Sequence, residues 1–195
     1  MEDCIVARPD IYRPEQHSIG LLVIDIQEKF RPAIASFDGV VANIVRLVSA
    51  FNVLRIPIIT TEQYPQGLGP TVKPVADALP DQTEPLVKKH FSCCGAEGFM
   101  ERLEHTWARA LALCGIETHV CVYQTALDLM AKGYTVCAIA DAMASRRGLD
   151  HATALRRIEQ AGGIIMTAEM LLFDLLRTAD SPEFREIQKL VRVSV

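Results

Sequence analysis

Near its N-terminus the chain reads Ile19-Gly20-Leu21-Leu22-Val23-Ile24-Asp25, an apolar run that one carboxylate closes. A short run of this kind is typical of a strand that is buried on both faces of a parallel sheet. Similar runs recur along the chain, and helical patterns separate most of them. The sequence therefore predicts an α/β fold with a parallel sheet, whose strands cover residues 19–24, 57–61, 85–88 (a weaker run), 108–114, 134–140 and 163–166.

Apolar residues at helical spacing predict the crossover helices between these strands. The first helix is expected to follow Asp38, whose side chain is placed to cap it. Another starts near His119, and Gly133 offers the left-handed conformation that ends helices. Residues 63–82 carry four prolines and two glycines and are expected to form a surface loop. Further helices are predicted at residues 98–104, 150–161, 168–176 and 182–191.

The composition limits the classes of protein to consider. Of 195 residues, 50% are hydrophobic, which fits one domain over residues 1–195. A net charge of -4 argues against a nucleic-acid partner, and no apolar stretch approaches the roughly 20 residues of a membrane span. The acidic N-terminus lacks the basic residues of a secretory signal, so a cytosolic protein with free thiols is expected.

Polar residues beyond the carboxyl ends of parallel strands are the first candidates for chemistry, and Asp25, Lys88 and Cys121 meet this criterion. Cys121 falls in the first turns of a predicted helix, where the helix dipole stabilises a thiolate by about 0.3 to 2 kcal/mol. Proton transfer from an ordinary Cys to an ordinary Asp costs about 6 kcal/mol. Asp25 can therefore act as the base only if burial disfavours its charged form while Lys88 stabilises a Cys121 thiolate.

The motifs around these residues resemble those of the isochorismatase-like hydrolase family, and in particular its cysteine hydrolase branch. The matching stretches are residues 22–30 around the aspartate, 88–92 around the lysine and 115–121 around the cysteine. Residues 62–69 further resemble the subgroup of isochorismatase domain-containing proteins. Together these stretches extend the resemblance over most of the chain.

The resemblance implies a three-layer, Rossmann-like α/β/α fold with a six-stranded parallel sheet. It also implies a cis peptide between Ile116 and Glu117, and an oxyanion hole formed by the backbone N–H groups of Glu117 and Cys121. The implied reaction cleaves a small amide or related acyl compound through a Cys121 thioester, with Asp25 as base and Lys88 as electrostatic partner.

Relatives that bind a metal place an aspartate and two histidines after the second strand. Residues 61–65 read Thr-Glu-Gln-Tyr-Pro instead, so neither a metal nor another cofactor is expected. The residues expected to line the substrate pocket lie in or beside the family motifs, and they are Phe30, Gln63, Tyr64, Phe91 and His119.

Several alternatives stay open at this point. Lys89 competes with Lys88, although strand alternation gives them opposite faces and the family spacing favours Lys88. Cys93 and Cys94 are read as loop or pocket residues, because adjacent cysteines lack metal-ligand spacing. The alternative function is a non-catalytic binding or scaffold protein that retains the fold. The apolar C-terminal helices favour a homo-oligomer in either case.

Overall fold

The computed structural model describes residues 12–81 and 83–192. Its central sheet has the strand order β3-β2-β1-β4-β5-β6, and all neighbouring strands are parallel. The strands are β1 (Ile19–Ile24), β2 (Ile58–Gln63), β3 (Leu86–Lys88), β4 (Ala110–Ile116), β5 (Thr135–Ala144) and β6 (Ile164–Met166). The predicted α/β class and six-stranded parallel sheet are confirmed, and the weak run near residue 86 forms a three-residue edge strand.

Helices on both faces of the sheet complete three layers. They are α1 (Phe37–Val53), α2 (Pro65–Leu68), α3 (Lys73–Ala78), α4 (Phe99–Glu104), α5 (Tyr123–Ala131), α6 (Gly148–Gln160), α7 (Ala168–Leu176) and α8 (Phe184–Arg192). A π-helical turn, Thr118–Val122, leads into α5. Among the described helices, none combines the length and the apolar composition needed to cross a membrane.

Alternation along the central strands sends neighbouring side chains to opposite helix layers. Leu21 and Val23 of β1 join the apolar core beneath α1, α3, α7 and α8. Leu22 and Ile24 join the second core, beneath α4, α5 and α6. Because both faces of β1 are covered, the whole strand is apolar, as its sequence indicates.

Two predictions about boundaries were wrong. Helix α1 begins at Phe37, so Asp38 lies inside the first turn and does not cap the helix. Its carboxylate instead pairs with Arg31, whose guanidinium lies over the Phe37 ring. The expected surface loop after β2 contains α2 and α3, each with a proline in its first turn, where the missing N–H costs nothing.

The strand order predicts a crevice beside the end of β1. This strand pairs with β2 on one side and β4 on the other, so the connections that leave β1 and β4 diverge beyond their carboxyl ends. Gly115 in β4 has a φ of 116°, and a Cβ there would overlap the carbonyl oxygen of Ile24. Glycine thus allows the end of β4 to approach β1 closely.

Candidate active site

Asp25 follows the last residue of β1 and is fully buried. Its φ of 50° lies in the left-handed region, which Asp tolerates better than most residues. Thr61 Oγ1 donates a hydrogen bond to Asp25 Oδ1 over 2.8 Å, and Lys88 Nζ donates to Oδ2 over 2.6 Å. Both carboxylate oxygens are therefore held by donors from the neighbouring strands β2 and β3.

Lys88 ends β3 with a fully buried side chain, whereas Lys89 is exposed. Besides Asp25, Lys88 Nζ contacts Gln63 Oε1 at 2.7 Å and the Phe91 carbonyl oxygen at 3.0 Å. Burial alone would lower the pKa of Lys88, but the negative charge of Asp25 and the hydrogen bond to it raise it above its ordinary value. Of the two adjacent lysines, Lys88 is the one that reaches the aspartate, and it carries a fixed positive charge.

Cys121 lies in the π-helical turn between β4 and α5, with 7% of its surface exposed. Asp25 and Lys88 both lie close enough to the Cys121 thiol to affect its pKa. Burial, followed by the charge of Asp25, raises the pKa of the Cys121 thiol well above its ordinary value, and Lys88 only partly opposes the increase. The resting thiol is therefore protonated. The sequence indicates a helix start that favours a thiolate at this position by about 0.3 to 2 kcal/mol, too little to offset the burial of the thiol.

Two further residues lie next to the carboxylate: Thr61, which the sequence does not assign to the site, and Cys93, which the sequence suggests only as a loop or pocket residue. Thr61 Oγ1, which bonds to Asp25, also lies 3.7 Å from Cys93 Sγ. The Cys93 backbone N–H donates to Thr125 Oγ1 over 2.9 Å. Burial, followed by the charge of Asp25, raises the pKa of Cys93 to about 12. The sequence offers one signal, a cysteine close after the lysine motif, but its contact with Thr61 depends on which strands are neighbours.

The segment between β4 and Cys121 is anchored by Glu117. Its preceding peptide bond, Ile116-Glu117, is cis, as the family resemblance implies. Glu117 Oε1 accepts hydrogen bonds from the backbone N–H of Arg146 over 2.9 Å and from its Nε over 3.0 Å. The backbone that carries the expected oxyanion donors, Glu117 and Cys121, is thereby tied to the connection between β5 and α6.

The aromatic residues expected to line the pocket differ in exposure. Tyr64 follows β2 and Phe91 follows β3 by three residues, and their exposed fractions are 49% and 54%. Both therefore offer free ring surface near the carboxyl ends of the strands that carry Thr61 and Lys88. Phe30 is half-buried and packs against the core beneath α1.

The two polar residues expected in the pocket are engaged within the protein. Gln63 Oε1 accepts from Lys88, and its Nε2 donates to the Lys89 carbonyl oxygen over 2.9 Å. His119 Nδ1 shares a hydrogen bond of 2.9 Å with Ser145 Oγ. The imidazole also lines a cavity of about 470 Å³ together with residues of α5 and α6.

Glu62, the next-to-last residue of β2, carries a hydrogen-bonded carboxylate. Glu62 Oε1 accepts from the Thr71 backbone N–H over 2.6 Å and from Thr71 Oγ1 over 2.8 Å. Within residues 12–81 and 83–192, no group of three or more His, Cys, Asp and Glu side chains is arranged to hold a metal ion. The absence of a metal requirement stays a prediction.

Comparison with known proteins identifies relatives over most of the chain. The sequence model of the isochorismatase domain family matches residues 20–170 of this chain. Isochorismatase domain-containing protein 2A of Mus musculus is 39% identical over 190 residues, which cover 97% of this chain and 90% of that protein. Isochorismatase domain-containing protein 2 of Danio rerio is 43% identical over 173 residues, which cover 88% of this chain and 85% of that protein.

Solved structures share the architecture. The MAR1 ribonuclease of Caenorhabditis elegans has a TM-score of 0.89 at 38% identity, with 94% of each chain covered. The YcaC gene product of Escherichia coli, described as an octameric hydrolase of unknown specificity, has a TM-score of 0.83 at 22% identity, with 93% of this chain and 97% of that chain covered.

Proposed function

Because this chain belongs to the isochorismatase domain family of hydrolases, we propose that it cleaves a small amide or related acyl compound through a thioester on Cys121. Asp25 acts as the base and Lys88 as its electrostatic partner. The observation that carries the proposal is the fully buried Asp25 carboxylate, held by Lys88 at 2.6 Å and within reach of a thiol. Burying an ion pair costs free energy, and buried ionisable groups beside a nucleophile are typical of active sites.

The first half-reaction forms the thioester. Asp25 takes the proton from the Cys121 thiol while Sγ attacks the carbonyl carbon of the substrate. The backbone N–H groups of Glu117 and Cys121 stabilise the resulting oxyanion, and a donor of this kind is worth about 10²- to 10³-fold in rate. Asp25 then gives its proton to the departing nitrogen as the C–N bond breaks.

The second half-reaction restores the enzyme. Asp25 takes a proton from a water molecule, whose oxygen adds to the thioester carbonyl carbon. The C–S bond breaks, and the Cys121 sulfur recovers the proton as the carboxylic acid leaves. The net change is addition of one water molecule across the C–N bond, with every side chain returned to its starting state.

Lys88 makes the initial proton transfer feasible. The transfer moves one negative charge from Asp25 to Cys121, and both sites lie within electrostatic reach of the same ammonium. The buried cation therefore stabilises the thiolate that forms, while the raised pKa of Cys121 keeps the unreacted thiol neutral. We assign Gln63 to positioning Lys88, because both ends of its amide already have protein partners.

The exposed rings of Tyr64 and Phe91 favour a small substrate with an apolar or flat acyl group. The family resemblance supports His119 as a further pocket residue, although the cavity that it lines is formed with residues of α5 and α6 and not with Tyr64 or Phe91. We further propose a homo-oligomer located in the cytosol. The described cysteines, which leave out Cys4, are free thiols, and the octameric YcaC shares the fold. Light scattering of the purified protein measures the number of subunits.

The test is a panel of small amides assayed for release of ammonia or amine. Wild-type protein should turn over at least one of them, and Cys121→Ala should abolish that turnover while the fold is retained. Cys137→Ala is the matched control, because it removes a buried thiol on the opposite face of the sheet. Mass spectrometry of a quenched reaction should find the acyl group on Cys121. Turnover that persists in Cys121→Ala contradicts the proposed nucleophile.

The same panel distinguishes the other functions. A folded wild-type protein that hydrolyses nothing in a broad panel supports the binding or scaffold alternative. RNA belongs in the panel because the Caenorhabditis elegans relative is described as a ribonuclease. The net charge of -4 offers little attraction for phosphates, so we expect no RNA cleavage.

A further inference from the structure

We infer that Cys93 is a positioning residue, which acts on the base Asp25 through the hydroxyl of Thr61. The inference rests on the proposed function, since it takes Asp25 as the proton acceptor. It concerns a second buried thiol that the thioester mechanism does not use.

The direction of the hydrogen bonds follows from the number of protons. An ionised carboxylate only accepts, so the single proton of the Thr61 hydroxyl lies in the 2.8 Å bond to Asp25 Oδ1. In the 3.7 Å contact between Thr61 Oγ1 and Cys93 Sγ, the thiol is then the donor. Cys93 keeps its proton at ordinary pH, because burial raises its pKa to about 12. The hydrogen bonds therefore run from the Cys93 thiol to the Thr61 hydroxyl, and from the Thr61 hydroxyl to the Asp25 carboxylate.

Cys93 is also held from its other side. Its backbone N–H donates to Thr125 Oγ1 over 2.9 Å, and Thr125 lies on α5, four residues after Cys121. Cys93 thus connects the strand end that holds the base with the helix that follows the nucleophile. It is fully buried, and a buried site of this kind gives water little opportunity to replace the thiol as donor.

The consequence for Asp25 is electrostatic. The thiol occupies an acceptor site on Thr61 Oγ1 and thereby favours the rotamer in which the hydroxyl points at the carboxylate. That bond stabilises the charged form of Asp25. If the thiol is removed, the hydroxyl turns away part of the time, and the carboxylate loses part of this hydrogen bond. We therefore expect the pH–rate profile of the variant to differ from that of the wild type.

The experiment compares Cys93→Ala, Thr61→Val and the double variant, with Cys94→Ala as a control at the adjacent, partly buried thiol. Two readouts are taken against pH: kcat/KM for a substrate found in the amide panel, and the rate of Cys121 alkylation by iodoacetamide. One hydrogen bond corresponds to roughly a 3- to 10-fold effect. We expect Thr61→Val to shift both profiles and lower kcat by about 10-fold, and Cys93→Ala to act in the same direction by about 3-fold.

The double variant is decisive, because residues that act in series are not additive. It should match Thr61→Val alone, Cys93→Ser should recover part of the loss, and Cys94→Ala should behave as wild type. Independent effects of Cys93→Ala and Thr61→Val that multiply would overturn the inference, as would a Cys93→Ala protein with unchanged profiles. If Cys93→Ala does not fold, as judged by circular dichroism, the comparison rests on Cys93→Ser in both Thr61 backgrounds.

The two readouts separate failure of this inference from failure of the proposed function. Turnover that depends on Cys121, with no response to Cys93 in either profile, rejects the inference alone. A wild-type protein without turnover rejects the proposed function. In that case the alkylation profiles still decide whether Cys93 acts on Asp25 through Thr61.

Discussion

Replacing Lys88 with methionine should destabilise the protein far more than loss of an ordinary lysine. Lys88 Nζ and Asp25 Oδ2 are 2.6 Å apart, and both side chains are fully buried. The substitution leaves a buried carboxylate without its cation, a change that typically costs about 3 to 5 kcal/mol. For a chain of this length that corresponds to a decrease in Tm of roughly 6 to 20 °C. Lys89→Met is the matched control, because this exposed neighbour should change stability by less than about 0.5 kcal/mol.

The interaction itself is measured by a double-mutant cycle with urea unfolding. Asp25→Asn removes the anion and Lys88→Met removes the cation, while the double variant leaves no unpaired charge. The double variant should therefore be less destabilised than the sum of the single variants by about 1 to 3 kcal/mol. Single effects that add to within about 0.5 kcal/mol would show that the two side chains do not interact, and the proposed triad would have to be abandoned.

The same variants should change Cys121 in opposite directions. The charge of Asp25 raises the pKa of Cys121 and that of Lys88 lowers it. Asp25→Asn should therefore speed iodoacetamide labelling of Cys121 even as it abolishes turnover. Lys88→Met should slow both and move the labelling profile to higher pH. Labelling that neither variant alters would contradict the shared site.

Three further outcomes are expected. Gly115→Ala should give little folded protein, as measured by circular dichroism, because its Cβ would overlap the Ile24 carbonyl oxygen at a φ of 116°. Stability should fall as the pH rises above 9, since burial raises the pKa of Cys93 and Cys137 to about 12 from an ordinary 9.0. The contribution of the two thiols to the free energy of unfolding is complete below pH 9 and is lost toward pH 12, at about 1.4 kcal/mol per pH unit for each thiol. A free energy of unfolding in urea that stays constant between pH 8 and 10.5 would contradict this prediction. Chelation should leave activity unchanged, and stoichiometric zinc, iron or manganese lost together with activity would contradict a metal-free reaction.

Several strands could be predicted because a strand that is buried on both faces is a short apolar run in the sequence. The central strands β1 and β4 are short apolar runs, and the edge strand β3 is a run of only three residues. Helix ends are set by particular contacts instead. Asp38 looks like a cap in the sequence, but Arg31, which is seven residues away in the chain, takes its carboxylate. The helix propensity of individual residues does not predict the pairing of Asp38 with Arg31.

The charged residues of the candidate site, Asp25 and Lys88, could be predicted because they lie at the carboxyl ends of predicted parallel strands. The protonation of Cys121 could not, because the dipole of a helix is visible in a sequence whereas the depth of burial is not. Thr61 and its contact with Cys93 could not be predicted for a different reason. Thr60 and Thr61 are adjacent and chemically alike, and only the pairing of β1 with β2 decides which hydroxyl meets Asp25.

The position of Lys88 on β3 places the cation of the proposed mechanism at the edge of the sheet. This strand has three residues and pairs with β2 alone, through the register of Gln63 with Lys88. Short edge strands open in local fluctuations that leave the rest of a protein folded, and amide hydrogen exchange reports such openings. An opening that lifts β3 away also withdraws the cation from Asp25. In the proposed mechanism, such an opening would lower the reactivity of Cys121 although Cys121 itself lies on a different element.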